Sequence, residues 1–208
     1  MIRTHRNNIG VPCRRLPVCQ STTPVTEKAW KQLSTRLAGA LRELAEDEFL
    51  VVSHKSRGLF VQFASHGPHG MRAEAASNAY LPDSTRLTEG ACERLIGLGW
   101  LPPTYVHVPG VREPAQGSPN FYLDVARPIR RAVIASLATE TLRSVYGVFH
   151  PAELQYDAYG DAATSIRFPT LGLKRRARES VTASVEFSLI AAEIERSERA
   201  LRFQWILE

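Results

Sequence analysis

The sequence predicts an α+β protein in which a twisted antiparallel sheet is backed by helices. Apolar residues recur at helical spacing in some segments and alternate at strand spacing in others, and three strand-like segments follow one another without an intervening helix. The predicted order is α-β-β-β-α-β-α followed by a β-hairpin. A chain of 208 residues is long enough for one such domain and a modest extension.

The first helix has clear signals at both ends. Thr23 is a suitable cap, Pro24 suits the first turn, and the acidic run at 46–48 ends the segment in solvent. Its apolar residues recur every three or four positions, at Trp30, Leu33, Leu37, Leu41 and Leu44. This spacing predicts that the helix buries one face.

Three strands are predicted next, over 49–55, 57–65 and 70–76. The side chains of the second and third alternate between two faces, and short turns separate all three. The strands therefore predict an antiparallel meander whose second face is only half polar.

Helix and strand signals alternate in the following segment. Thr88 and Gly99 are placed to begin and end a helix. A Pro- and Gly-rich loop leads to a fourth strand over 120–126, and residues 127–147 then predict a long helix.

The last part of the chain is less regular. Residues 152–173 predict a hairpin that turns near Gly160. Residues 177–208 fit strand and helix patterns alike, and we expect a helix followed by a short strand. Residues 1–25 lack periodicity and predict a disordered basic leader. The expected organisation is that leader, an α+β domain over 26–176 and a C-terminal extension.

Composition limits the location and partners of the protein. The net charge of +5 is concentrated in the leader, which holds four arginines and no acid, so the remaining chain is close to neutral. No apolar run approaches the roughly 20 residues that span a bilayer, and no secretory signal is present. Three cysteines without a C-x-x-C pair indicate free thiols in a reducing compartment. We expect a cytoplasmic protein without membrane association.

Common catalytic and metal patterns are not satisfied. His66 and His69 have a spacing that permits metal binding, but no third ligand lies nearby in sequence, so solvated turn histidines are favoured. G-x-S-x-G and phosphate-binding glycine patterns are absent. A hydrolase using Cys92 or His150 lacks the other groups of a catalytic set. These patterns favour neither a metal site nor a nucleotide-binding enzyme, and a hydrolase stays the third hypothesis for the function.

The outer face of the predicted sheet is the strongest binding candidate. It carries Phe60 and Gln62 from the second strand, and Arg72 and Glu74 from the third. An aromatic ring beside a charged cross-strand pair can bind an extended or helical peptide. The alternative is a half-exposed face that the Arg-Glu pair only stabilises.

A basic segment over 174–178 provides a second candidate surface. Lys174, Arg175, Arg176 and Arg178 can bind phosphates, but acidic residues follow them and no aromatic side chain is interleaved for stacking. A solvated or partner-facing patch is favoured over nucleic-acid binding. A nucleic-acid-associated accessory protein remains the alternative function.

Several motifs occur in a fixed order over residues 26–176: FVQFA, MRAEAASNAYLP, LIGLGWLPP, PNFYLDV, LRSVYGVFHPAEL and FPTLGLKRR. Together with the order of helices and strands, they resemble the N-terminal domain of the actinobacterial TY-Chap family. That family of peptide-binding chaperones is similar to type III secretion chaperones and to YbjN.

The resemblance implies a non-enzymatic module, without a cofactor, that captures a segment of a client protein, for example a secreted or toxin-like protein. It places Phe60 and Gln62 in one motif, and Arg72, Glu74 and Asn78 in the next, as candidate partner-binding residues. Secretion chaperones of this shape often dimerise, so a homodimer is a further hypothesis.

Overall fold

A computed structural model describes residues 24–107, 111, 114, 117–160 and 164–176 of the chain. The leader up to residue 23 and the extension 177–208 lie outside the described residues, so the structure predicted for them is untested. The described elements, in chain order, are α1 (Pro24–Glu43), β1 (Phe49–His54), β2 (Phe60–Ser65), β3 (Met71–Ala75), α2 (Glu89–Leu98), β4 (Phe121–Val125), α3 (Arg131–Glu140), β5 (Leu154–Tyr159) and β6 (Lys174–Arg175). The predicted α+β class is confirmed.

The strands form one open sheet in the order β4-β3-β2-β1-β5-β6. β1 to β3 make the predicted meander, and β4 and β5 extend it on opposite sides with antiparallel pairing. β6 pairs with β5 in parallel, which makes the sheet mixed.

The chain after β5 differs from the predicted hairpin. Among the described residues, its return arm pairs with β5 through one isolated bridge, between Tyr159 and Ser165, and Phe168 further along donates from its amide to the hydroxyl of Tyr156. Phe168 is then buried, and a 3₁₀ turn over Pro169–Leu171 packs against α1. This turn redirects the chain, so that β6 runs in the same direction as β5.

The main core lies between one face of the sheet and the helices. In the register of β1 and β2, Leu50 lies opposite Phe63 and Val52 opposite Val61, and each of these side chains is at most 1% exposed. Ser65, two residues beyond Phe63 on the same face, donates from its hydroxyl to the carbonyl of Leu44 just after α1. Burial of these apolar side chains supplies the main stabilisation of the fold.

α1 and α3 pack against each other in antiparallel orientation. At one end Arg131 donates from Nε to the carbonyl of Leu41 at 3.0 Å, and at the other Arg143 lies 2.8 Å from the carboxylate of Glu27. The predicted long helix over 127–147 is shorter in the structure, because α3 begins at Arg131 and its helical path widens into a π-helical turn over Thr141–Val145.

Trp100, the residue after the glycine that ends α2, anchors this helix to the core. Gly99 has a φ of 108°, so the chain turns out of the helix there, as its sequence predicted. Trp100 is then almost completely buried and donates from its indole to the hydroxyl of Thr141 at 2.8 Å. This contact places the residues that follow Trp100 beside β4.

A histidine and a glutamate connect the end of β1 to the start of β5. Nε2 of His54 lies 3.3 Å from the carboxylate of Glu153, and Nδ1 of His54 accepts from the amide of Ser56. The other carboxylate oxygen of Glu153 accepts from the amide of His150 at 2.8 Å. Burial acts to raise the pKa of Glu153, but these hydrogen bonds and the charges of His54 and Arg57 outweigh it and lower that pKa.

We expect the Glu153 contacts to make stability depend on acid pH. Because the folded-state pKa of Glu153 is lowered, its stabilising contribution is complete above the ordinary glutamate pKa of about 4.3 and is lost as the pH falls through the folded value. Urea unfolding of Glu153→Gln and the parent chain between pH 7 and pH 3 measures this. The difference in unfolding free energy should shrink at low pH, and a constant difference would contradict the assignment.

Gly70 should be indispensable for the junction between β3 and β4. Its φ is 118°, and a Cβ added there would lie 2.2 Å from the carbonyl oxygen of Val125. We expect Gly70→Ala to lower the free energy of unfolding by more than about 2 kcal/mol in urea denaturation. Gly39→Ala in α1 is the matched control, because a Cβ there meets no atom within 4 Å, and it should stabilise by up to about 1 kcal/mol.

Candidate functional site

The candidate site lies on the face of the sheet opposite Leu50, Val52, Val61 and Phe63, which we call the outer face. Residues directly across from each other in the register share a face, so Gln62 and Glu74 lie together on it, as do Arg72 and Asp124. Phe49 of β1 and Tyr159 of β5 stack there with their ring centroids 5.1 Å apart. The outer face is thus apolar near β1 and β5 and polar towards β4.

Glu74 is the centre of the polar part. It is only 5% exposed, and its carboxyl group accepts three hydrogen bonds from neutral side chains. Gln62 donates from Nε2 at 2.5 Å, Ser118 from its hydroxyl at 2.8 Å, and Asn120 from Nδ2 at 3.3 Å. A buried carboxyl group requires such partners, since burying it without them carries a large desolvation cost.

The same network fastens the segment that precedes β4. Asn120 accepts from the amide of Ser77 at 3.2 Å, and the hydroxyl of Ser77 donates to the carbonyl of Pro119 at 2.6 Å. Thr104 exchanges backbone and side-chain hydrogen bonds with Ser118, which closes the base of the loop between α2 and β4. The Glu74 carboxyl group thus joins β2, β3 and the segment 118–120, and Thr104 is linked to this network through Ser118.

Arg72 lies at the more accessible margin of this network. Its guanidinium makes two hydrogen bonds to the carboxylate of Asp124, at 2.7 and 2.8 Å, and a third to the carbonyl of Gly117 at 3.1 Å. Its Cζ also lies 5.5 Å from the ring centroid of Tyr122. The Arg72 side chain is 14% exposed and that of Asp124 is 55% exposed. We call Arg72, Tyr122 and Asp124 the Arg72 rim.

The five residues singled out from the sequence are placed differently from one another. Phe60, Gln62 and Glu74 are 2%, 7% and 5% exposed, so the face expected to be half exposed is buried at these positions. Arg72 belongs to the rim. Asn78 lies outside the sheet and holds residue 87, donating to the carbonyl of Leu87 at 3.0 Å and accepting from its amide at 2.7 Å. Whether these residues contact a client stays a prediction.

Sequence reasoning missed Asp124, Tyr122 and the segment 117–120. The alternation in residues 120–126 was the one available signal, since it places Asn120, Tyr122 and Asp124 on one face of that strand. What it lacked was the pairing of β4 with β3, which joins residues about 50 positions apart in sequence. The polar network therefore could not be assembled from local patterns.

β4 forms one edge of the sheet, and a single bridge covers part of it. Tyr122 and Leu101 exchange backbone hydrogen bonds of 2.9 and 3.0 Å. Among the described residues, no further backbone partner is present along that edge of β4. Leu101 itself is 47% exposed.

The residues considered for catalysis or metal binding lie in short turns and in α2. His150 caps a short 3₁₀ turn by accepting from the amide of Ala152, and another short turn follows His66 and ends at His69. Burial, followed by the nearby charge of Glu89, raises the pKa of Cys92, although a backbone hydrogen bond opposes this, and a raised pKa disfavours the thiolate. In the part of the chain that the structure describes, no three His, Cys, Asp or Glu side chains are grouped to hold a metal.

Part of the basic segment is engaged at the other edge of the sheet. Arg175 lies 3.9 Å from the carboxylate of Asp157 and contacts the hydroxyl of Ser165, while Lys174 is exposed. Arg178 lies outside the described residues. The alternative of nucleic-acid binding through this segment is therefore neither supported nor contradicted.

Comparisons with known proteins give one match. The model of the family TY-Chap3, described as "T3SS (YopN, CesT) and YbjN peptide-binding chaperone 3", matches residues 23–160. No curated protein and no solved structure matches the chain significantly. Among the described residues, no helix has both the length and the apolar character required to cross a membrane.

The Glu74 network should be essential for stability. Glu74→Ala removes the acceptor for three donors, two of them on buried side chains of the loop before β4. We expect the unfolding free energy to fall by about 2 to 4 kcal/mol, because those donors remain buried without a partner. Urea unfolding followed by circular dichroism measures it.

Glu43→Ala is the control for this change, since Glu43 is an exposed glutamate in α1. It should alter stability by no more than about 0.5 kcal/mol. Equal effects of the two substitutions would show that the Glu74 network does not hold the loop.

Proposed function

Because the chain belongs to the TY-Chap3 family of peptide-binding chaperones, we propose that it is a non-enzymatic module that captures a segment of a client protein. The family match is the observation that carries this proposal. It spans residues 23–160, which include the outer face from β1 to β5 and the described helices α1 to α3. We assign client binding to the domain over 26–176.

The Arg72 rim is the proposed contact surface. It combines a guanidinium, an aromatic ring and a carboxylate at a position that is accessible on the outer face. Arginine and tyrosine are enriched where proteins bind one another, because both offer a large contact area with a polar end. The rim can therefore contact the apolar and polar parts of a peptide together.

The other candidate residues act on the Arg72 rim indirectly. Gln62 and Glu74 lie beside Arg72 along a shallow depression of the outer face that Phe49 and Tyr159 also line. They hold the segment 117–120, and Gly117 in turn accepts from Arg72. We propose that Gln62 and Glu74 fix the position of the Arg72 guanidinium, and that Phe60 and Asn78 act through packing and through the loop around Leu87.

The proposed clients are polypeptides in an extended or partly folded state. By the resemblance to secretion chaperones, we propose secreted or toxin-like proteins that are held before export or kept inactive, with the complex forming in the cytoplasm. Such a role requires no reaction chemistry, only a surface that accepts a chain segment reversibly.

Peptide binding can be tested without knowledge of the client. A library of random peptides about twelve residues long, displayed on phage, is selected against the full chain, and recovered peptides are synthesised and measured by fluorescence anisotropy. We expect dissociation constants in about the micromolar range. If repeated selections recover no peptide that binds, the proposed function is wrong.

One pair of variants measures how much the Arg72 rim contributes to the affinity for a selected peptide. Arg72→Gln should weaken binding of a selected peptide roughly tenfold, which corresponds to about 1.4 kcal/mol. Arg94→Gln, on the exposed side of α2, changes the net charge equally and should leave the affinity unchanged. Thermal unfolding of both variants separates lost binding from lost structure. Equal affinities for the two variants would exclude the rim as the contact surface.

A further inference from the structure

Four apolar side chains lie together on the outer face, on the side of β1 and β5. Phe49 of β1 lies between Ala64 of β2 and Tyr159 of β5 in the register, and Val51 follows on the same face two residues further along β1. None of the four carries a charge, and each is at most 8% exposed. We call them the apolar strip.

The described elements do not account for this degree of burial. α1 and α3 pack on the opposite face of the sheet, and α2 packs against the π-helical turn that follows α3. The described segment 117–120 does reach the outer face, but its hydrogen bonds go to Arg72 and Glu74, on the side of β4. A sheet face that no layer covers leaves its side chains partly in water. The apolar strip therefore requires a cover.

The described chain ends beside the apolar strip. β6 runs parallel to β5, so the chain leaves Arg176 in the direction of Tyr159. Ser165 already pairs with Tyr159 at that edge, so the chain has to leave the plane of the sheet there. The turn over Pro169–Leu171 packs on the side of α1. The remaining side is the outer face.

The sequence that follows Arg176 suits an apolar surface. Phe49 is two strand spacings from β6, about 10 Å, which about three extended residues can cross. Val181, Val185 and Leu189 come next, at intervals of four residues. This interval places three side chains on one side of a helix and also on one side of a strand, so both patterns that fit the extension give it an apolar side.

Other occupants fit the apolar strip less well. In the loop before β4, Val106 and Val111 are 80% and 60% exposed, so these valines do not cover it. The leader joins the domain at Pro24, where α1 begins, on the opposite face of the sheet. A second copy would gain little, because four side chains offer less than the roughly 800 Å² that each partner buries in a stable protein pair.

We propose that the segment 177–208 of this chain lies over the apolar strip and directs Val181, Val185 and Leu189 towards it. The extension then closes the outer face on the side of β1 and β5. It leaves the Arg72 rim, on the side of β4, open to a partner. This intramolecular contact does not depend on what the rim binds.

The first test identifies the cover directly. Phe49 is replaced by the photoreactive p-benzoylphenylalanine in the full chain, and cross-linked peptides are mapped by mass spectrometry after irradiation. The expected product joins residue 49 to the segment 177–208 within one chain. The control carries the same replacement at Val25, which is 74% exposed at the start of α1. It should give no product with the extension.

A second test measures how accessible the apolar strip is, without a larger ring. Ala64→Cys adds a thiol to the strip, and its alkylation by iodoacetamide is followed on the peptide that contains residue 64. Adding Val185→Asp and Leu189→Asp should raise the rate at least about tenfold, because carboxylates are not accommodated against apolar side chains. Ser184→Asp with Ser188→Asp adds the same charge at neighbouring positions and should change the rate by less than about twofold.

A thiol in the core distinguishes local uncovering from unfolding. Ala73 is fully buried on the face towards α1 and α3. Alkylation of Ala73→Cys should stay equally slow with and without the aspartates in the extension. A rate that rises there as much as at residue 64 would show that the variants open the whole fold, which contradicts a local cover.

The remaining outcomes also decide the proposal. Cross-links from residue 49 to 108–116 or to the leader would assign the cover to those segments and overturn it. Cross-links between two chains would assign the cover to a second copy. If residue 49 gives no cross-link and Ala64→Cys is alkylated equally fast in every variant, the extension does not cover the apolar strip.

Discussion

Burial of the Glu74 carboxyl group is the constraint on which the outer half of this structure depends. A carboxyl group that is 5% exposed must find hydrogen-bond donors within the protein. Gln62 supplies one from the neighbouring strand, and Ser118 and Asn120 supply two from the segment before β4. That segment directly precedes β4, and Thr104 holds it in place through hydrogen bonds with Ser118. The loop base, the start of β4 and the position of Arg72 all follow from this requirement.

The two faces of the sheet are therefore stabilised in different ways. The face towards α1 and α3 buries apolar side chains, whose contribution is large and has little directional preference. The outer face combines an aromatic stack at β1 and β5 with the directed hydrogen bonds around Glu74. Directed contacts fix side-chain positions closely, and this is the property a binding surface needs in order to present a guanidinium in a defined orientation.

The Arg72 rim and the open edge of β4 share one residue, Asp124. Its side chain holds the guanidinium of Arg72, and its backbone amide and carbonyl point out of the sheet. Under the proposed function, a client segment that contacts the rim would lie beside this edge.

The sequence by itself determined the helices, the strands of the meander, the α+β class and the resemblance to the family, because each depends on residues close together in the chain. Alternation also placed Gln62 and Glu74 on one face. Only the tertiary structure decided that β4 is an edge, that Glu74 is buried beneath residues 118 and 120, and that β6 runs parallel to β5. These features arise from contacts between residues about 20 to 50 positions apart. Local propensity does not specify which distant segments pack or pair with each other. That pairing depends on the burial and hydrogen bonding of the whole chain.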